Sequence, residues 1–215
     1  MKRIYLIICI WGCCLVAYAQ DLKSLFVAMP DSLSSLLTEV NRADFGDFLE
    51  SNMKAEVKNR FGNLSEMTKL TDDYLFLKLT EASTEEMKLL PLNDTVKVIC
   101  VVRTYWGPVA DSNVLFYDTA WNRLPTEKFL SLPDENCFYK TPVSEIGADS
   151  LKNLRLHADM YLLKAELSAD DRTLSFFYTT PEYLDKQSAT EIRKFLLGKP
   201  LVYKWKEGRF VLECE

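Results

Sequence analysis

The chain has 215 residues, 48% of them hydrophobic and 12% aromatic, with a formal net charge of −5 at pH 7. That apolar share supplies a core and excludes a disordered chain. The acidic balance excludes the basic footprint that nucleic acid requires.

The first element is an export signal. Lys2 and Arg3 form a short positive segment, Ile4 to Val16 is an uncharged apolar run, and Ala17-Tyr18-Ala19 is a small-x-small cleavage site. The apolar run falls well short of the roughly 20 residues a spanning helix needs. This predicts a signal peptide over 1–19, cleaved after Ala19. Loss of Lys2 and Arg3 takes the net charge to −7. Ile10-Trp11-Gly12-Cys13 loosely resembles a lipobox, so acylation of Cys13 is the rival reading, although Trp11 fits that pattern poorly. No second stretch is long and apolar enough to span a membrane, so no transmembrane segment is expected after cleavage.

Residues 31–60 read as helical. Asp31 or Ser32 can cap after Pro30, and Leu33, Leu36, Leu37 and Val40 fall at helical spacing. A second helix is expected over 43–60, with Phe45, Phe48, Leu49 and Met53 on one face, broken at Gly62-Asn63. From Tyr74 the period changes to that of strands. Residues 74–80 and 87–92 read as strands, Asn93-Asp94 as a turn, and 95–103, β-branched and apolar, as the strongest strand. Trp106-Gly107-Pro108 ends it, 113–117 follows, and 118–125 reads as a loop, which completes an antiparallel meander.

Residues 127–156 are less regular. Strands are expected over 159–167 and 173–179, about a turn at 168–172. A helix follows over 182–197, ended by Gly198-Lys199-Pro200. Residues 201–205 and 209–213 read as a closing hairpin about Glu207-Gly208. The expected fold is α+β: N-terminal helices, antiparallel β meander, then strand-strand-helix-hairpin. No linker composition divides 20–215, so a single compact domain is expected. A weak pseudo-repeat of 70–125 and 157–215 is an alternative, each part closing on a Phe-Tyr pair (Phe116-Tyr117 and Phe177-Tyr178).

Cys9, Cys13 and Cys14 leave with the signal, and Cys100, Cys137 and Cys214 remain. An odd count allows at most one internal disulfide. Cys100, in an apolar run, reads as a small buried hydrophobe. Cys137 and Cys214 are the preferred pair if a disulfide exists.

Catalytic and metal constellations are not evident. The one histidine, His157, has no ligand motif around it, so neither a metal nor a cofactor is expected. A Cys137–His157 nucleophile pair can be drawn, but Cys137 follows Pro-Asp-Glu-Asn, an acidic loop without the cation or helix start that activates such thiols. Asp72-Asp73 and Asp170-Asp171 sit in expected turns, where carboxylates bond the turn backbone. The aromatic set Tyr105, Trp106, Tyr117 and Trp121 is the candidate binding patch, with core packing at strand ends as the competing reading.

The run from Met87 to Cys100, Asp111-Ser112, the run from Phe116 to Trp121, and Asp44 to Asn52 together resemble an exported Bacteroidales family, a domain of unknown function. The likeness covers nearly all the mature chain. It implies a bacterial periplasm or cell surface and supplies no activity and no catalytic residue. It also implies O-glycosylation at Asp-Ser/Thr followed by an apolar residue, with candidates Ser32, Thr95, Thr119 and Ser150, of which Thr119 in its loop is the best placed. The expected function is therefore an exported, non-catalytic binding or interaction protein with a protein or glycan partner in the cell envelope. An envelope structural or assembly factor, or a hydrolase using Cys137, are the alternatives.

Overall fold

The computed structural model describes residues 21–140, 145–158 and 160–213. The expected signal peptide, the Cys214 half of the expected disulfide and the side chain of His157 lie outside the described residues.

Seven strands follow one another as an antiparallel meander: β1 (Ala55–Lys58), β2 (Leu64–Leu70), β3 (Tyr74–Thr80), β4 (Ser83–Pro91), β5 (Lys97–Trp106), β6 (Ala110–Asp118) and β7 (Arg123–Leu124). The period-2 alternation of a strand gives this sheet two buried faces. On β5, Val98, Cys100 and Val102 join one cluster, and Ile99 and Val101 join the other. Helices α1 (Leu22–Val27) and α2 (Glu39–Glu50) accompany the second cluster, where Leu22, Phe26 and Phe45 pack with Leu75, Leu77, Met87 and Leu89. The opposite face meets a four-stranded antiparallel sheet in the order β11-β10-β9-β8. Its strands are β8 (Leu163–Leu167), β9 (Thr173–Tyr178), β10 (Leu201–Lys206) and β11 (Arg209–Leu212). Helix α3 (Glu145–His157) precedes it, and α4 (Thr180–Tyr183) and α5 (Lys186–Arg193) lie between β9 and β10. The α+β class, N-terminal helices, meander and closing hairpin stand as expected from sequence. At the hairpin, Glu207 (φ 49°) and Gly208 (φ 80°) take the paired left-handed conformation that a tight two-residue reversal needs.

The structure corrects several boundaries, among them β7 inside the expected 118–125 loop and β8, which begins only at Leu163. Residues 31–60 are not two helices. Thr38 opens α2 with a capping box, its side chain accepting from Asn41 N–H at 3.2 Å while the Asn41 side chain accepts from Thr38 N–H at 3.2 Å. Asn52 at φ 55° stands just past its end. Residues 27–37 instead wrap the Arg42 guanidinium, which donates to the carbonyls of Val27, Met29 and Leu37 and to Asp31 Oδ1. Beyond Asn52, Ala55 and Val57 are buried at period 2, and β1 pairs with β2 through a turn at Gly62 (φ 80°). Strand β4 begins at Ser83 rather than Met87, because Glu85 and Glu86 point to opposite faces and are both buried. A helix, α3, stands in the irregular stretch, and the helix expected over 182–197 is two pieces, the second opened by the Asp185 cap.

The two sheets meet through side chains as well as apolar packing. Alternate backbone N–H groups along the edge of β8 are received by side chains of the larger sheet. Leu163 N–H bonds Asp111 Oδ1 (3.0 Å), Ala165 N–H bonds Ser112 Oγ (2.9 Å) and Leu167 N–H bonds Glu86 Oε2 (2.9 Å). An edge strand otherwise presents these donors as a template for another chain.

Candidate functional site

An open cleft of about 460 Å³ lies at the end of the smaller sheet. Its first wall is the end of β9 and the start of α4: Phe177, Tyr178, Thr179, Pro181 and Glu182. Phe176 faces the seam and is buried, so the next residue, Phe177, turns to the outer side and remains half-exposed. Thr179 and Thr180 fix the wall from behind. Thr179 Oγ1 donates to Ala110 O at 2.7 Å, and Thr180 Oγ1 donates to Met160 O at 2.8 Å. The second wall is the end of α5 and the link to β10: Arg193, Leu196, Gly198, Lys199 and Pro200. Leu197 N–H bonds Phe138 O (2.9 Å) and Lys140 N–H bonds Phe195 O (2.7 Å), which tie that link to 138–140. Phe138 stacks on Tyr178 with centroids 5.4 Å apart and completes the floor.

A phenol and carboxylate network supports the floor. Glu135 Oε1 accepts from Tyr178 OH (2.8 Å) and Tyr139 OH (3.2 Å), and Glu135 Oε2 pairs with Arg155 at 2.7 Å. Burial raises both phenols above their ordinary value, so they stay protonated and act as donors. These groups hold the wall's shape and are already paired with one another. Among the described residues, no group of three or more His, Cys, Asp and Glu could hold a metal ion.

The four aromatics singled out in the sequence are not brought together. Tyr105 and Trp106 are adjacent on β5 and therefore face opposite sides of the sheet. Trp106 is 46% exposed and stands over Lys164 Nζ at 5.1 Å, and the same ammonium lies 5.8 Å from the Phe177 ring. Lys164 thus links Trp106, which is not part of the cleft lining, to Phe177, which is. Tyr105, also exposed, lines a separate small pocket with Leu33–Leu36, Glu85 and Arg103. Tyr117 and Trp121 are buried under α1, with rings 5.6 Å apart and Trp121 Nε1–H donating to Leu25 O at 2.9 Å.

Of the glycosylation candidates, Ser32 and Thr95 lie in exposed turns, Ser150 is exposed on α3, and Thr119 is half-buried in the turn capped by Asp118. Cys137 is exposed in a short 3-10 turn, and Cys100 is buried, where desolvation raises its thiol well above the ordinary value. Asp73 pairs with buried Lys88 (3.1 Å), Asp170 reaches Lys69 (3.6 Å), and Asp171 receives Thr173 N–H (3.1 Å).

The cleft is not legible in the sequence. Its residues come from 138, 177–182 and 193–200, segments read as strand end, helix start and helix stop. The one signal was the pair of breakers, Thr180-Pro181 and Gly198-Lys199-Pro200, that turns the chain on both sides of a helix.

Among the described residues no helix is long and apolar enough to cross a membrane. No curated protein matches the chain. The chain is similar to the solved structure of a domain of an uncharacterized protein from Porphyromonas gingivalis W83. The TM-score is 0.80 at 28% sequence identity, over 91% of this chain and 100% of that one. A family profile described as "Protein of unknown function (DUF3256)" matches residues 14–210, and the chain belongs to that family.

Proposed function

We propose that this is an exported, non-catalytic interaction protein of a bacterial periplasm or cell surface, which holds a partner in the cleft between β9–α4 and the α5–β10 link. The observation that carries the reading is the cleft's lining. Aromatic and aliphatic side chains make up most of it, and its charged members, Glu182, Arg193 and Lys199, are exposed. Such a surface captures an apolar anchor and offers no nucleophile with a paired base. The signal sequence supports export, and the similarity to a Porphyromonas gingivalis protein fits an envelope of that bacterial group.

The test has two arms. N-terminal sequencing of protein recovered from the envelope fraction of the native host is expected to begin at Gln20. Affinity capture by the wild-type chain and by Trp106→Ala with Phe177→Ser is then compared by quantitative mass spectrometry. The double variant is expected to lose a defined partner that the wild type retains. Equal capture, or protein retained in the cytoplasm with its leader intact, contradicts the proposal.

A further inference from the structure

The chemistry of the cleft says more about its occupant, on the reading that the cleft is the binding surface. Its polar groups are largely committed. Tyr178 OH donates to Glu135 and Thr179 Oγ1 to Ala110 O, so neither hydroxyl is directed into the cleft as a donor. The backbone of 195–197 is also engaged, through Phe195 O, Leu196 N–H and Leu197 N–H, and Tyr139 and Leu196 already form a β-bridge. A sugar requires a dense array of donors and acceptors, and an added strand requires free backbone groups. Neither is offered on these walls.

The cleft does offer an apolar floor with charged lips of opposite sign. Glu182 stands on the β9–α4 wall, and Arg193 and Lys199 stand on the α5–β10 wall. Arg193 is exposed, and among the described residues its guanidinium has no hydrogen-bond or ion-pair partner. A free guanidinium beside an apolar trough is a strong receptor for a carboxylate. Glu182 on the facing lip repels a carboxylate and so fixes the direction in which an acidic segment lies.

We infer that the cleft binds a protein segment that inserts an apolar or aromatic side chain between Phe177, Phe138 and Leu196 and sets a neighbouring carboxylate on Arg193. The anchor supplies the contact, and the Arg193–carboxylate pair orients it.

Fluorescence polarisation on the mature chain tests this with three capped, fluorescein-labelled peptides: Gly-Asp-Asp-Phe-Leu-Gly, Gly-Asn-Asn-Phe-Leu-Gly and Gly-Asp-Asp-Ser-Ser-Gly. The first is expected to bind saturably and about tenfold tighter than the second, the size of one charge-assisted hydrogen bond. The third is expected not to bind. Arg193→Glu, whose melting temperature should match the wild type, is expected to abolish the difference between the first two. Equal affinity of the Asp and Asn peptides for the wild type overturns the role of Arg193 while leaving the apolar cleft reading in place. Saturable binding of the Ser-Ser peptide, or of none of the three, overturns the inference altogether. In the last case a photo-crosslinker at position 193 that still captures a partner in cells shows that the cleft itself remains the interaction surface.

Discussion

The Glu86 carboxylate, on β4 of the larger sheet, accepts the backbone N–H of Leu167, on the edge of the smaller sheet, at 2.9 Å. It also accepts Tyr74 OH at 3.1 Å. The two sheets therefore share a buried acid at their seam. Burial pushes Glu86 up to about 7, ahead of the opposing effect of its two hydrogen bonds.

A pH prediction follows from that shift. The folded state holds the Glu86 proton more tightly than the unfolded chain, whose ordinary value is 4.5. The stabilisation is complete below pH ~4.5 and is lost as pH rises through ~7. Buried Glu85 is raised in the same direction, again by burial, so the readout is the difference between the wild type and Glu86→Gln. Chemical denaturation from pH 4.5 to 8 should show wild-type stability falling relative to the variant by about 2–3 kcal/mol. Parallel curves would show that Glu86 titrates normally.

Ser112 makes a narrower prediction at the same seam. Its Oγ receives Ala165 N–H, so Ser112→Ala leaves a buried donor without a partner. The expected loss is about 1–3 kcal/mol. In native-state hydrogen exchange the Ala165 amide should lose more protection than the amides of β5.

Arg42 is nearly inaccessible and directs its guanidinium to Val27 O, Met29 O, Leu37 O and Asp31. Arg42→Ala strands these acceptors and opens the space beneath α1. We expect a loss of about 3–5 kcal/mol in chemical denaturation, with little recovery in Arg42→Lys, which lacks the planar fork.

The two tryptophans should separate cleanly. Trp121 is 7% exposed with its indole N–H bonded, and Trp121→Ala is expected to cost about 3–5 kcal/mol. Trp106 is 46% exposed, and Trp106→Ala should change stability by no more than about 1 kcal/mol while weakening capture of a partner. Thermal unfolding of the two single variants checks both.

The contrast between the tryptophans shows where the sequence was legible. The strand at β5 was plain because branched apolar residues run along it without interruption, and the Glu207-Gly208 reversal was plain from its turn chemistry. The start of β4 was hidden because Glu85 and Glu86 look like loop residues until Arg103, Tyr74 and Leu167 meet them from distant parts of the chain. Leu33, Leu36 and Leu37 mimic a helix because their spacing cannot reveal Arg42 holding that stretch as a loop. Tyr105 and Trp106 looked like one patch, and strand alternation divided them. The cleft was invisible for the same reason, since 138, 177–182 and 193–200 become neighbours only once β9, α5 and β10 are placed.

The cleft is proposed as the place where this protein meets its partner. The most direct measurement is a photo-crosslinking scan in the native host, with a benzophenone side chain at position 106 or 193 and, as controls, at the exposed and remote positions 40 and 61. A discrete adduct of one size is expected from 106 and 193, absent from 40 and 61. Adducts from the control positions alone, or the same ladder from all four, would contradict it.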